Sequence, residues 1–136
     1  MAYLETVAGQ IVTALQGDGL TAFTEFELQT APVPAVPAFV TVSAAEMQTG
    51  QPLPCPDGTA VPVTLRLRFR MHGLPGSDPD SLAILWELYI LPELIGAGYA
   101  LKSTELGELK YVRTLDRTVR EGSAVVSALL LRTESS

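Results

Sequence analysis

One cysteine, Cys55, and one histidine, His72, stand among 136 residues. A lone cysteine excludes an intramolecular disulfide framework and a cysteine-based zinc site, and a lone histidine removes most metal sites and most pairings of a nucleophile with a base. No lysine or arginine precedes Arg66. Residues 1–65 carry Glu5, Asp18, Glu25, Glu27, Glu46 and Asp57 without a basic partner, whereas residues 66–136 hold nine acids and nine bases. The net charge of −6 therefore belongs to the first half. An acidic chain gains little by neutralising phosphates, which disfavours nucleic acid as a partner.

Long apolar runs are missing too. The most apolar stretch, Leu82 to Leu101, is broken by Glu87, Pro92, Glu93 and two glycines, so no membrane span is expected. Residues Met1 to Gln16 have Glu5 in place of a basic leader, which predicts no export signal. None of the spacings G-x-x-x-x-G-K-[ST], G-x-G-x-x-G after a strand, H-E-x-x-H or G-x-S-x-G occurs. Asp78 and Asp80 are explained by helix capping, and nothing in the sequence assigns His72 a catalytic partner. Cys55 lies between Pro54 and Pro56, with no nearby base to activate it. The expectation is a protein with no catalytic residue, cofactor or metal.

What is present is enough for one domain over residues 1–136, since hydrophobic residues make up 47% and charged residues 18% of the chain. Leu4, Val7, Ala8, Ile11, Val12 and Leu15 recur at helical spacing, and Gly17-Asp18-Gly19 ends that helix. Gly9 weakens it and leaves room for another backbone. Residues 21–30 alternate as a strand with Glu25 and Glu27 on one side. Pro32, Pro34 and Pro37 then demand an extended edge or crossing segment. A short strand over Phe39 to Val42 precedes a long, proline-stiffened connection from Gly50 to Pro62, a candidate contact element.

The clearest strand is Val61 to His72. Its even side is Thr64, Arg66, Arg68, Arg70 and His72, and its odd side is apolar. Three arginines in line, about 6.5–7 Å apart, either sit on a solvated face beside acids such as Glu25 or Glu27, or meet an acidic surface of another subunit. The second helix opens with Asp78 at the N-cap and Pro79 at the first turn. Leu82, Leu85, Trp86 and Tyr89 form its expected core face, widened by Ile84 and Leu88. That is more apolar surface than one face of a sheet needs, so Trp86 and Tyr89 are candidate interface anchors. Tyr99 to Ser103, Leu109 to Leu115 and Ser123 to Thr133 read as strands, the last two joined at Glu121-Gly122. The order α-β-β-β-α-β-β predicts an α+β fold, a mainly antiparallel sheet with two helices packed on one face.

The capped helix DSLAILWELYILPELIGAGY, the closing segment YVRTLDRTVREGSAVVSALLL and the element order together resemble the tail-terminator and tail-completion proteins of long-tailed bacteriophages and phage tail-like particles. The Gly50 to Pro62 connection departs from that pattern. The resemblance implies a closed ring of identical subunits, typically a hexamer, that caps the tail tube and ends its polymerisation. Its implied partners are the tail-tube protein and neck proteins, and its implied location is the virion or particle, assembled in the bacterial host cytoplasm. Arg66, Arg68, Arg70, Glu25, Glu27, Trp86 and Tyr89 are then the expected subunit or partner interface. Two other readings remain: a baseplate or neck adaptor of the same particle, and a small-ligand module with Trp86, Tyr89 and Tyr99 around a cavity.

Overall fold

The computed structural model describes residues 3–25, 36–56, 58–76, 80–97 and 99–133. Helix α1 (Tyr3–Gly17) buries Val7, Ala8, Ile11, Val12 and Leu15, the stripe its spacing predicts. Its end is a Schellman turn: Gly19 takes φ 88°, its N–H meets the Gln16 carbonyl, and the Leu20 N–H reaches Leu15. Gly9 shields no close approach, because a methyl group there would meet nothing within 4 Å. Gly9→Ala should therefore stabilise the protein by about 1 kcal/mol through helix propensity alone, read as a higher urea midpoint. A loss of stability would mean that the position does need a bare backbone.

Among the described residues six strands form one mixed sheet: β1 (Ala22–Thr24), β2 (Ala38–Thr49), β3 (Leu53–Cys55), β4 (Gly58–Gly73), β5 (Ala100–Val112) and β6 (Arg117–Thr133). The order is β1-β2-β4-β6-β5, with β3 also on β4. Among the described strands only β1 and β2 run parallel. Strand β4 is the spine, because its odd residues from Val61 to Met71 are all buried beneath the helices. Val40 and Val42 of β2 and Ala124 and Val126 of β6 extend that face by register. The α+β architecture with both helices on one face is thus present.

Several boundaries differ from the sequence reading. The Gly50 to Pro62 connection is not a free loop: the Gly50 N–H bonds the Pro62 carbonyl at 2.7 Å, and β3 ladders onto the start of β4. Pro62 is tolerated within β4 because its missing N–H falls where β2 gives way to β3. The expected strands at 99–103 and 109–115 are one strand, β5, with irregular register at Leu101/Ser103 and Leu106/Leu109. The hairpin turn lies at residues 113–116, where Asp116 has φ 48°. Glu121-Gly122 is mid-strand instead, and Gly122 serves a different need: a Cβ there would come within 2.6 Å of the Trp86 ring. The rest of the 21–30 strand beyond Glu25, Pro32 and Pro34, and the Asp78 cap with Pro79 lie outside the described residues.

The second helix has three parts: α2 (Ser81–Leu85), a π-helical turn (Trp86–Ile90) and α3 (Leu91–Gly96). Asp80 occupies its N-cap position. Pro92 has no N–H to offer the Leu88 carbonyl, and the neighbouring Leu91 N–H reaches back five residues to Trp86. The wider turn keeps Leu82, Trp86, Ile90 and Leu94, each four residues apart, on one line, and all four are buried. A plain 3.6-residue helix would rotate that series off the sheet. This corrects the expected core face: Tyr89 points outward and Leu85 is half-buried, while Ile90 and Leu94 take the inner positions.

Candidate functional site

The face of the sheet away from the helices carries the arginine stripe. Arg66 lies opposite Glu46 on β2, and Arg70 lies opposite Thr41 on β2 and Glu121 on β6. A register shift between Ala44 and Glu46 places the glutamate, not Ala45, across from Arg66. Arg66 then meets Glu46 at 3.7 Å, Arg68 meets Glu121 at 2.7 Å, and Arg70 reaches Glu25 at 3.5 Å and Glu121 at 3.9 Å. The buried Thr41 hydroxyl donates to the other Glu25 oxygen at 2.9 Å. The three arginines are therefore neutralised by their own chain. Partly exposed pairs of this kind contribute up to about 1 kcal/mol each, so they set register more than stability. Glu27 lies outside the described residues.

One end of this face closes into a cationic and aromatic cluster. His72 stacks on Phe39 with ring centres 4.2 Å apart and an interplanar angle of 7°. Phe23 meets Phe39 edge-on, and the Arg117 guanidinium lies 5.4 Å from the Phe39 ring centre. Arg117 also donates to the Val36 and Pro37 carbonyls at 2.6 and 3.3 Å. His72 is 2% exposed, and neither of its ring nitrogens has a hydrogen-bond partner among the described residues. Burial, then the charges of Arg70 and Arg117, lower its pKa from 6.5 to about 4. The ring is thus neutral at ordinary pH.

A groove of about 730 Å³ borders this cluster, with Arg70, His72, Glu105, Lys110, Glu121 and Ser123 in its lining. Among the described residues, none of its carboxylates makes a hydrogen bond to His72, whose two ring nitrogens are buried. Cys55 is half-buried on β3. Among the described residues no three His, Cys, Asp or Glu side chains gather as a metal site. No described helix is long and apolar enough to cross a membrane.

The aromatic residues of the small-ligand reading do not converge either. Trp86 is 4% exposed and packs edge-on against Phe69, with ring centres 5.6 Å apart, so it belongs to the core and not to an outer surface. Tyr99 is half-buried beside a small space of about 110 Å³ between the two helices, lined by Ile11 and Leu94 among others. Tyr89 faces solvent on the opposite side of the second helix.

That outer side is the most distinctive surface. Leu88 is 66% and Ile95 is 63% exposed, with Ile84 and Tyr89 also exposed. A second groove, about 330 Å³, runs between Asp18, Leu88, Tyr89, Pro92 and Glu93. The Glu93 carboxyl is pushed up by its hydrogen bond with Asp18, by slight burial and by the Asp18 charge. Two acids thus face each other at the groove, and no described cation forms an ion pair with either. The sequence signalled this site only as an apolar excess in the second helix; Asp18 and Glu93 meet because the end of α1 lies beside α3. Comparison with protein-family models and with curated proteins finds no match to this chain.

Proposed function

We propose that this protein is a structural subunit that assembles with copies of itself into a ring, capping the tail tube of a phage or phage-derived particle and ending its polymerisation. The observation that carries this reading is the outer face of the second helix, where Ile84, Leu88, Tyr89 and Ile95 stand exposed together. Monomeric proteins seldom leave such patches contiguous and bare, and patches of this kind mark contact surfaces. The α+β build that underlies the likeness to tail terminators supports the choice of assembly, while β3 adds a strand to the expected order α-β-β-β-α-β-β. The tube protein and the neck proteins are the partners on this reading, and the particle, put together in the host cytoplasm, is its place of work. The surfaces do the work, with no bond-making centre.

The arginine stripe takes a smaller part than its sequence suggests. With Glu25, Glu46 and Glu121 already beside Arg66, Arg68 and Arg70, it holds the sheet's register, and the contact surface moves to the helices. Negative-stain electron microscopy of the purified protein tests the reading: closed rings of uniform diameter are the expected result. Fields of single small particles at every concentration would contradict it.

A further inference from the structure

Resting on that reading, we infer that the groove on the outer face of the second helix receives the end of the β5–β6 hairpin of a second copy. Every lysine and arginine lies on β4, β5, β6 or the turn at 113–116, and neither helix contains one. The described helical layer is thus purely acidic, with Asp18, Asp80, Glu87 and Glu93 around the exposed apolar residues. Among the described residues, no cation lies within ion-pair distance of the Asp18 and Glu93 carboxylates.

The bases on β4 are already paired, and Arg117 is buried beneath Val36 and Pro37. The uncommitted ones gather on the hairpin. Arg113 sits in its turn, and Arg120 lies directly opposite Leu109 and donates through Nε to the Gly107 carbonyl at 2.8 Å, leaving its terminal nitrogens available. Neither arginine has a carboxylate within 4.0 Å among the described residues. Leu109 and Tyr111 stand 38% and 55% exposed on the same side of the strand as Arg120. Between Leu109 and Arg120 the hairpin carries four bases and one acid, Asp116, which accepts from the Tyr111 hydroxyl at 2.7 Å, so its end is apolar and net basic where the helix groove is apolar and acidic.

A leucine and a tyrosine match a groove built from Leu88, Tyr89 and Pro92, and the arginines meet the paired acids. The apolar parts supply affinity, and the charges set register and suppress wrong pairings. Because the two surfaces differ, the contact is heterologous, and a heterologous contact repeats from copy to copy into a ring when its rotation closes.

Charge reversal on each surface provides the test. One variant carries Asp18→Lys and Glu93→Lys, and the other carries Arg113→Glu and Arg120→Glu. Each variant alone should show native circular dichroism and self-association weakened about tenfold or more in sedimentation velocity, since opposed like charges cost more than 1.4 kcal/mol. An equimolar mixture should recover the wild-type assembly, because alternating copies match every groove with a hairpin of opposite sign. Variants that assemble as wild type does, or a mixture that fails to recover, would overturn this assignment while leaving self-assembly standing. A wild-type protein that never associates would instead remove the structural reading itself.

Discussion

Replacing Gly122 by Ala is expected to lower stability by about 3 kcal/mol, the upper range for forcing one extra carbon into a filled core. The added Cβ would lie 2.6, 2.7 and 2.9 Å from three carbons of the Trp86 ring, distances that no van der Waals contact sustains. Relief is difficult because Phe69 pairs directly with Gly122 across the strands and holds the indole from the side. The indole must lift, and with it the π-helical turn that aligns Leu82, Ile90 and Leu94. A double-mutant cycle with Trp86→Phe separates the clash from general damage: the smaller ring makes the two changes less harmful together than their sum. Urea denaturation followed by circular dichroism measures both. A Gly122→Ala cost below about 0.5 kcal/mol would show that the indole does not rest on the strand backbone.

The second large effect is on pH. His72 has a folded pKa of about 4 against 6.5 for the free side chain, so between these values the unfolded chain binds the proton and the native chain does not. Its contribution is therefore fully present above pH 6.5 and is lost as pH falls towards about 4. The full interval corresponds to about 3 kcal/mol. His72→Phe keeps a flat ring against Phe39 and has nothing to protonate, so its stability should fall less over the same range. The difference between the two pH slopes isolates the histidine from the carboxylates, which titrate in both proteins. Parallel slopes would mean that the ring reaches water or a hydrogen-bond acceptor when charged.

These two residues show what a sequence does and does not disclose. The buried stripe of α1 and the alternation from Val61 to Met71 are visible because both depend on spacing within one element. Gly122 beside Glu121 reads as a turn, since glycine after a charged residue serves that purpose in most chains; its use as a seat for Trp86 depends on a contact 36 residues away. His72 falls on the arginine side of its strand and so looks exposed. It is buried because Phe39 comes opposite it by register and Arg117 closes over Phe39.

The candidate site divides in the same way. The stripe of Arg66, Arg68 and Arg70 is legible from period two, and Glu25 was a foreseeable partner. Glu46 was not, because a one-residue register shift is needed to turn it towards the arginines. For the second helix, too many apolar residues were evident, but their division between inside and outside follows the π-turn. That turn exchanges Tyr89 for Ile90 and leaves Leu88 and Ile95 bare. Side-chain spacing assumes a regular helix, and here the missing amide of Pro92 makes it irregular.

Molar mass by light scattering across a wide range of concentration bears most directly on the claim that this protein works through contacts with its own copies. The mass should climb from the 14.5 kDa of one chain and level off at a fixed whole-number multiple. A value of 14.5 kDa throughout the range would contradict the claim.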